Sequence, residues 1–312
     1  MDSASGAGPK AMGPGGSGTS LRTEHLLWMR HLIEAGEAGS GARTMMLPGG
    51  IVTRRRGRGL ETDDIRPFLY GDDVRHIDRN TTARTGRLHV RTFRDERERS
   101  VLLVADFRPS MLFGTKRAFR SVAAAEALTL AGWRVAGQGG RVGVFAGTGR
   151  ETFFHRPGAG DRAMKAVAGR LAAAHAAALA ATGIVEDPPL ATILESAARA
   201  LPHDGTLLVA TALDHPGAEF DAVMRDIAHK AAIDVLLVAD PFEIETPPGS
   251  YPYLSAGGRR ETGEVSGRPA TRDVDRRLRR LELLGARTLL LDASLPPLDL
   301  AGLIEGFDAR RR

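Results

Sequence analysis

The residues best placed to do chemistry follow a run of strand-forming side chains. Val101–Ala105 is continuously apolar and rich in β-branched residues, as in a strand buried on both faces. Asp106, Pro109 and Ser110 break that run, with Arg108 between them. In an open α/β sheet, ligands occupy the crevice beyond the carboxyl ends of the strands, so a site is expected at Asp106–Ser110. A second concentration of acids, Asp63-Asp64 and Asp72-Asp73, lies upstream with Arg66, Arg75 and Arg79 close by. Such carboxylates can hold a metal or move protons, and Asp72 or Asp78 with His76 would be the pieces of a metal-assisted hydrolase. They can equally form charge-assisted pairs with arginine and cap short helical turns, which is the structural reading of the segment.

Composition removes several chemistries. The 312-residue chain has no cysteine, so disulfides, thiolate catalysis and cysteine-based zinc sites are excluded, and a reducing cytoplasm is the expected setting. No P-loop and no G-x-S-x-G elbow occur, and Gly158-Ala159-Gly160 reads as a turn. The nine histidines show no H-E-x-x-H spacing; His203 and His215 lie near strand ends. Net charge is +5, but acids are interleaved with the arginines and no aromatic stripe accompanies them, so a nucleic-acid partner is not expected. No run of about 18 apolar residues would span a membrane, and the first residues have no apolar core of a signal peptide.

The elements that must position these groups follow from periodicity. Residues 1–20, mostly Gly, Ser, Ala and Pro, read as a disordered tail. Leu26, Met29 and Ile33 recur at helical spacing within Leu21–Ala38, and Ile51–Arg58 reads as a short exposed strand. Asp63, Asp64, Asp72 and Asp73 are placed to cap helical turns, and Leu88–Arg94 alternates as a strand expected to run beside Val101. From Val101 the pattern is α/β. Helices are expected at Lys116–Ala131, Asp161–Ala181, Pro189–Leu201, Ala218–Lys230, Arg272–Leu284 and Leu298–Phe307. Strands are expected at Thr206–Ala210, Ile233–Ala239 and Thr288–Leu291, and Arg141–Ala146 forms a hairpin with Glu151–Phe154. Asp240–Pro269 reads as a long loop or hairpin. This rhythm makes a mostly parallel, doubly wound sheet covered on both faces. Three regions result: a tail at 1–20, a helix and charged segment at 21–99, and an α/β domain at 100–312.

The stretch GLETDDIRPFLYGDDVRHIDRNTTAR resembles the hallmark of the bacterial domain-of-unknown-function 58 family, roughly G-x-E-x-x-x-x-R followed by Y-x-x-G-D-x-x-R-x-I-D-W and a close A-R. Glu61, Arg66, Tyr70, Gly71, Asp72, Arg75, Ile77, Asp78, Ala83 and Arg84 carry the match; Arg79 stands where the family usually has Trp. The likeness spans most of residues 50–240. It implies a von Willebrand factor A-like domain, with Glu61, Arg66, Asp72, Arg75, Asp78 and Arg84 as a structural, partner-facing surface. It also implies an association with a MoxR-type AAA+ ATPase. Von Willebrand A domains hold Mg²⁺ through D-x-S-x-S, a loop Thr and a later Asp. The matching positions are Asp106, Ser110 and Thr192, with Arg108 replacing the first Ser and Ala212 at the usual Asp, two residues before Asp214. The degenerate set Asp106, Ser110, Thr192 and Asp214 is therefore expected to bind Mg²⁺ weakly or not at all. Arg108 is expected to pair with Asp106 or Asp214, stand in for the cation and offer N–H donors to a partner carboxylate. The resulting expectation is a non-enzymatic adaptor without a cofactor. The alternatives are a Mg²⁺-dependent adhesion-type binder and the hydrolase.

Overall fold

A computed structural model describes residues 16–35, 62–69, 72–93, 99–181, 187–245, 248–254, 259–265 and 271–309. The chain divides into two compact units, one of residues 1–41 and 99–312 and the other of residues 42–98.

In the larger unit, a helix α1 at Thr23–Trp28 precedes the α/β body. The smaller unit contributes β1 (Thr62–Pro67), α2 (Arg79–Thr85) and β2 (His89–Phe93). The body then runs β3 (Ser100–Phe107), α3 (Arg120–Gly137), β4 (Arg141–Thr148), β5 (Thr152–Ala159), α4 (Gly160–Ala180) and α5 (Leu190–Ala200). It continues with β6 (Thr206–Thr211), α6 (Phe220–Lys230), β7 (Ala232–Ala239), α7 (Pro241–Ile244), β8 (Gly249–Leu254) and β9 (Arg260–Val265). It closes with α8 (Thr271–Leu283), β10 (Arg287–Asp292) and α9 (Pro297–Ala309).

Six strands form one sheet in the order β10–β7–β6–β3–β4–β5, all parallel except the edge strand β5, which returns antiparallel to β4. Winding starts at β3 in the middle, proceeds outward to β5, then jumps back to β6 and outward to β10. This is a doubly wound α/β fold, as the strand–helix rhythm predicts, and its topological switch lies between β3 and β6. The strict alternation of side chains explains the two layers of core. Val101, Leu103, Ala105 and Phe107 face one layer with α3, α4 and α9; Leu102 and Val104 face the other with α5, α6 and α8. Each leucine buried in these layers stabilises the fold by roughly 1.5–3 kcal/mol. The run Ala123-Ala124-Ala125 in α3 is fully buried, and methyl-sized side chains bring that helix close to the sheet.

Three expectations change. The helix after β3 begins at Arg120, because Phe113–Phe119 makes its own turn, closed by Arg120 N–H donating to the Phe113 carbonyl at 2.8 Å. The strand His89–Phe93 pairs antiparallel with β1, where Asp63 and Asp64 lie as strand residues rather than caps, and not with Val101. Residues 16–20 of the tail expected at 1–20 are tied to the body: Phe119 N–H donates to the Gly18 carbonyl at 2.7 Å. A Cβ on Gly18 would stand 2.0 Å from the Arg117 carbonyl oxygen, so only glycine permits this approach. The helix expected at Leu21–Ala38 belongs to the α/β body, with Leu26 and Met29 fully buried in its core. His25 Nε2 sits 2.9 Å from the buried Glu126 carboxylate, which also accepts from Arg117 Nη2 at 2.7 Å. The expected strand at 51–58 lies outside the described residues.

Candidate functional site

β3 and β6 end side by side, Ala105 opposite Ala210, so Asp106 and Thr211 leave the sheet together at the switch point. Asp106 is 1 % exposed and Arg108 0 %. The arginine turns back onto the strand end. Its Nε donates to Asp106 Oδ1 at 2.9 Å and its Nη2 to Oδ2 at 2.8 Å, a two-pronged pair. Asp106 Oδ1 also accepts the Arg108 backbone N–H at 3.1 Å, and Oδ2 accepts the Thr211 hydroxyl at 2.7 Å.

The remaining guanidinium donors reach two other loops. Nη1 donates to the carbonyls of Pro188 (2.8 Å) and His215 (3.1 Å), and Nη2 donates to the carbonyl of Asp214 (2.8 Å). A guanidinium has five N–H groups, and all five are used. Burial alone would depress the Arg108 pKa, but its pairing with Asp106, helped by the charges of Asp187 and Asp214, leaves it raised. The side chain is a permanent internal cation.

The loop it grips has unusual backbone geometry. Leu213 (φ +62°) and His215 (φ +42°) occupy the left-handed region despite having side chains, and Gly217 follows at φ +88°. A Cβ on Gly217 would lie 2.7 Å from Cβ of Pro189, so the β6 loop and the start of α5 approach closely there. Leu190 and Ala191 N–H groups donate to the carbonyls of His215 and Pro216, which adds to the clamp. Strained residues persist where surrounding contacts over-determine them, and here those contacts converge on Arg108.

A second ionic group borders this crevice. Arg120, at the first turn of α3, donates to Asp214 Oδ2 (2.8 Å), to Glu243 Oε2 (2.9 Å) and to the Ser110 carbonyl. Arg277 of α8 donates to Glu243 Oε1 (3.2 Å) and to the Ala212 carbonyl (2.9 Å). Burial pushes the Asp214 pKa up, while Arg120 and Arg277 pull it down without cancelling that rise. Asp240, fully buried at the end of β7, accepts from Thr115 and caps α7.

The residues that would hold Mg²⁺ do not form a shell. Asp106 is committed to Arg108, and Asp214 turns its carboxylate to Arg120 while only its carbonyl faces the arginine. The Ser110 hydroxyl is buried without a hydrogen-bond partner among the described residues, and its N–H donates to Asp187 at 3.1 Å. Thr192 is exposed on α5 and makes no side-chain hydrogen bond to the group among the described residues. Ala212 carries no ligand atom. No cluster of three acidic, His or Cys side chains suited to a metal occurs among the described residues. With a guanidinium where the cation would sit, the donor set does not fit Mg²⁺. The pairing of Arg108 with Asp106 matches the sequence reading; the outward-facing donors do not, because none is left over. Thr211, whose hydroxyl completes the Asp106 environment, was missed. Its signal was its place at the end of the buried run Thr206–Ala210.

In the smaller unit, Arg66 forms a two-pronged pair with Asp72, Nη1 to Oδ2 at 2.8 Å and Nη2 to Oδ1 at 2.7 Å, and Arg66 holds the Asp72 pKa low. Asp73 caps the turn at Val74–His76. Asp78, 4 % exposed, caps α2 by accepting from Thr81 N–H at 2.6 Å, and Gly86 ends that helix at φ +69°. Arg75 and Arg84 are exposed, with no ion pair among the described residues, where the expected network shows one ion pair and two caps. Glu61 lies outside the described residues.

Much of this charged unit and five of the six strands of the sheet behind Asp106 fall within residues 64–277, which match the model of the "Protein of unknown function DUF58" family. The chain belongs to the DUF58 family. Two similar curated relatives are the uncharacterized proteins Rv1480 of Mycobacterium tuberculosis and Mb1516 of Mycobacterium bovis. Each is 38 % identical over 96 residues, 30 % of this chain and 29 % of the relative, so the match spans under a third of their length. Among solved structures, the chain is similar to BatB from Bacteroides thetaiotaomicron (14 % identity, TM-score 0.45, 68 % of this chain and 99 % of that one). It is also similar to a von Willebrand factor type A protein from Catenulispora acidiphila (15 % identity, TM-score 0.40, 67 % and 42 %). No helix among the described residues is long and apolar enough to cross a membrane.

Proposed function

We propose that this DUF58 protein is a non-enzymatic interaction module, a cytoplasmic adaptor that works with a MoxR-type AAA+ ATPase in assembling or remodelling another protein complex. The observation that carries the reading is the saturated Arg108. The crevice where a doubly wound fold receives its ligand is filled by the chain's own Arg108 side chain, which has no donor left to face outward. The same observation weighs against the Mg²⁺-dependent adhesion reading. For the hydrolase reading, Asp72 is neutralised by Arg66 and Asp78 is occupied as a helix cap, so neither is poised as a base.

The direct test combines calorimetry with co-purification. Mg²⁺ titrated into the protein should give no binding tighter than about millimolar. A MoxR-type ATPase from the same source should co-purify with it equally well with and without EDTA. Micromolar Mg²⁺ affinity or EDTA-sensitive capture would refute the sealed-crevice reading. Absence of any ATPase complex would refute the partnership.

A further inference from the structure

α6 and α8 lie side by side with a groove of about 550 Å³ between them. On α8, Arg276, Arg279, Arg280 and Leu283 fall at i, i+3, i+4 and i+7, a single stripe along the helix. The apolar stripe of α8, Val274 and Leu281, is buried in the core, so the arginine stripe is a different face. Arg276 and Arg279 are exposed, and Leu283 is 87 % exposed, the most exposed large apolar residue of the described chain. Across the groove, α6 presents Asp221 and the exposed Arg225.

The exposed Asp275 of α8 also lines the groove, and with Asp221 it leaves the four lining arginines in excess over the two acids. Arg280 is consumed by Asp221 (Nη2 at 2.7 Å, Nε at 3.0 Å) and stacks over Phe220 at 5.2 Å, which bridges the two helices and shapes the groove floor. Arg276 pairs with Asp273. Arg225 and Arg279 have no ion pair among the described residues. Two guanidinium groups without an ion pair among the described residues thus stand on opposite walls and flank an apolar side chain that no described residue covers. Guanidinium forks match carboxylates two-to-two, and an apolar anchor beside them suits a peptide side chain rather than a phosphate backbone.

We infer that the α6–α8 groove docks an acidic amphipathic helix of a partner protein, with carboxylates meeting Arg225 and Arg279 and one apolar side chain packing on Leu283. It shares with the proposed function only the premise of an interaction module; Arg108 takes no part, so a failure here leaves the sealed crevice standing. The test uses the full chain and a fluorescein-labelled helical peptide bearing Glu at i, i+3 and i+4 and Leu at i+7. Saturable anisotropy is expected, weakening steadily with added salt. The Arg225→Glu/Arg279→Glu variant should weaken it by roughly tenfold or more, and Leu283→Ala by several-fold, both with unchanged circular dichroism. The milder Arg225→Gln/Arg279→Gln variant should show the same direction if charge reversal disturbs folding. Absence of saturable binding, or binding indifferent to the arginine variants, overturns the inference. So does a single-stranded oligonucleotide that binds the groove more tightly than the peptide and is untouched by Leu283→Ala, since that assigns the surface to nucleic acid.

Discussion

Replacing Arg108 with alanine is the perturbation that isolates the role of the internal cation. The variant removes five donated hydrogen bonds at once. The Asp106 carboxylate keeps only the Thr211 hydroxyl and a backbone N–H, while the carbonyls of Pro188, Asp214 and His215 each lose a donor. Leaving one member of a buried ion pair uncompensated costs about 3–5 kcal/mol, a large share of the roughly 5–15 kcal/mol that holds a domain together. At about 2–4 °C per kcal/mol for a body of this size, the melting temperature should fall by roughly 10 °C. The β6 loop, no longer gripped, should become the first site of limited proteolysis. A second readout separates a lost cation from lost packing. The five acceptors freed by the substitution are all oxygen atoms, so millimolar Mg²⁺ or Ca²⁺ should raise the melting temperature of Arg108→Ala and leave the parent unmoved. Replacing the pair together, Arg108→Met with Asp106→Leu, should recover much of the loss, because neither charge is then stranded. Urea denaturation followed by tryptophan fluorescence measures all three proteins. A cost below about 1 kcal/mol for Arg108→Ala would refute the reasoning. Equal cation stabilisation of parent and variant would do so as well.

Other outcomes follow from groups away from this crevice. His175, fully buried with Ser121 as its 2.9 Å partner and Phe107 at its edge, has its pKa lowered by burial to about 4. The folded state therefore holds it neutral while the unfolded chain protonates near pH 6.5. Its contribution is intact above pH 6.5 and is lost as pH falls toward 4, by about 3 kcal/mol; urea midpoints across that window should slope less in His175→Phe. Glu126→Gln, which weakens the buried contact to His25 and Arg117, should cost about 2–4 kcal/mol and loosen α1, read by hydrogen exchange at residues 23–33. Deleting residues 1–15 should leave the melting temperature unchanged, whereas deleting 1–20 or changing Gly18→Val should lower it measurably by calorimetry. Asp78→Ala should cost the smaller unit about 1 kcal/mol through its lost helix cap, seen as faster exchange in α2.

Much of the α/β body was legible because its strands are apolar on both faces, and such runs leave little choice of period. Thr206–Thr211 and Ala232–Ala239 lie within a residue or two of their expected bounds. Local pattern failed where pairing is long-range or where side chains replace backbone partners. Nothing in Leu88–Arg94 states that its neighbour is Thr62–Pro67, because alternation specifies a face and not a partner. The Gly- and Ser-rich composition around Gly18 reads as tail because its value is a steric approach to Arg117, which composition does not encode. At the candidate site, the resemblance to a metal-binding strand end left Asp106 or Asp214 as the partner of Arg108, and the structure shows the Asp106 carboxylate. The three carbonyls that use up its other donors come from residues 188, 214 and 215, and only the folded loops bring them within reach.

The positive charge in the crevice is tethered. A diffusible ion occupies its site in proportion to its concentration, so a site of that kind has a filled and an empty state that the surroundings can set. Arg108 is joined to Asp106 through the single intervening residue Phe107, and its local concentration exceeds that of any free competitor by the logic of an intramolecular partner. The crevice therefore has one charge state at all salt and metal levels compatible with folding, and its occupancy carries no signal. Any switching at this crevice must arise by moving a whole loop, with Arg108 leaving together with the β6 turn. The left-handed backbone at Leu213 and His215 marks where that movement would release strain.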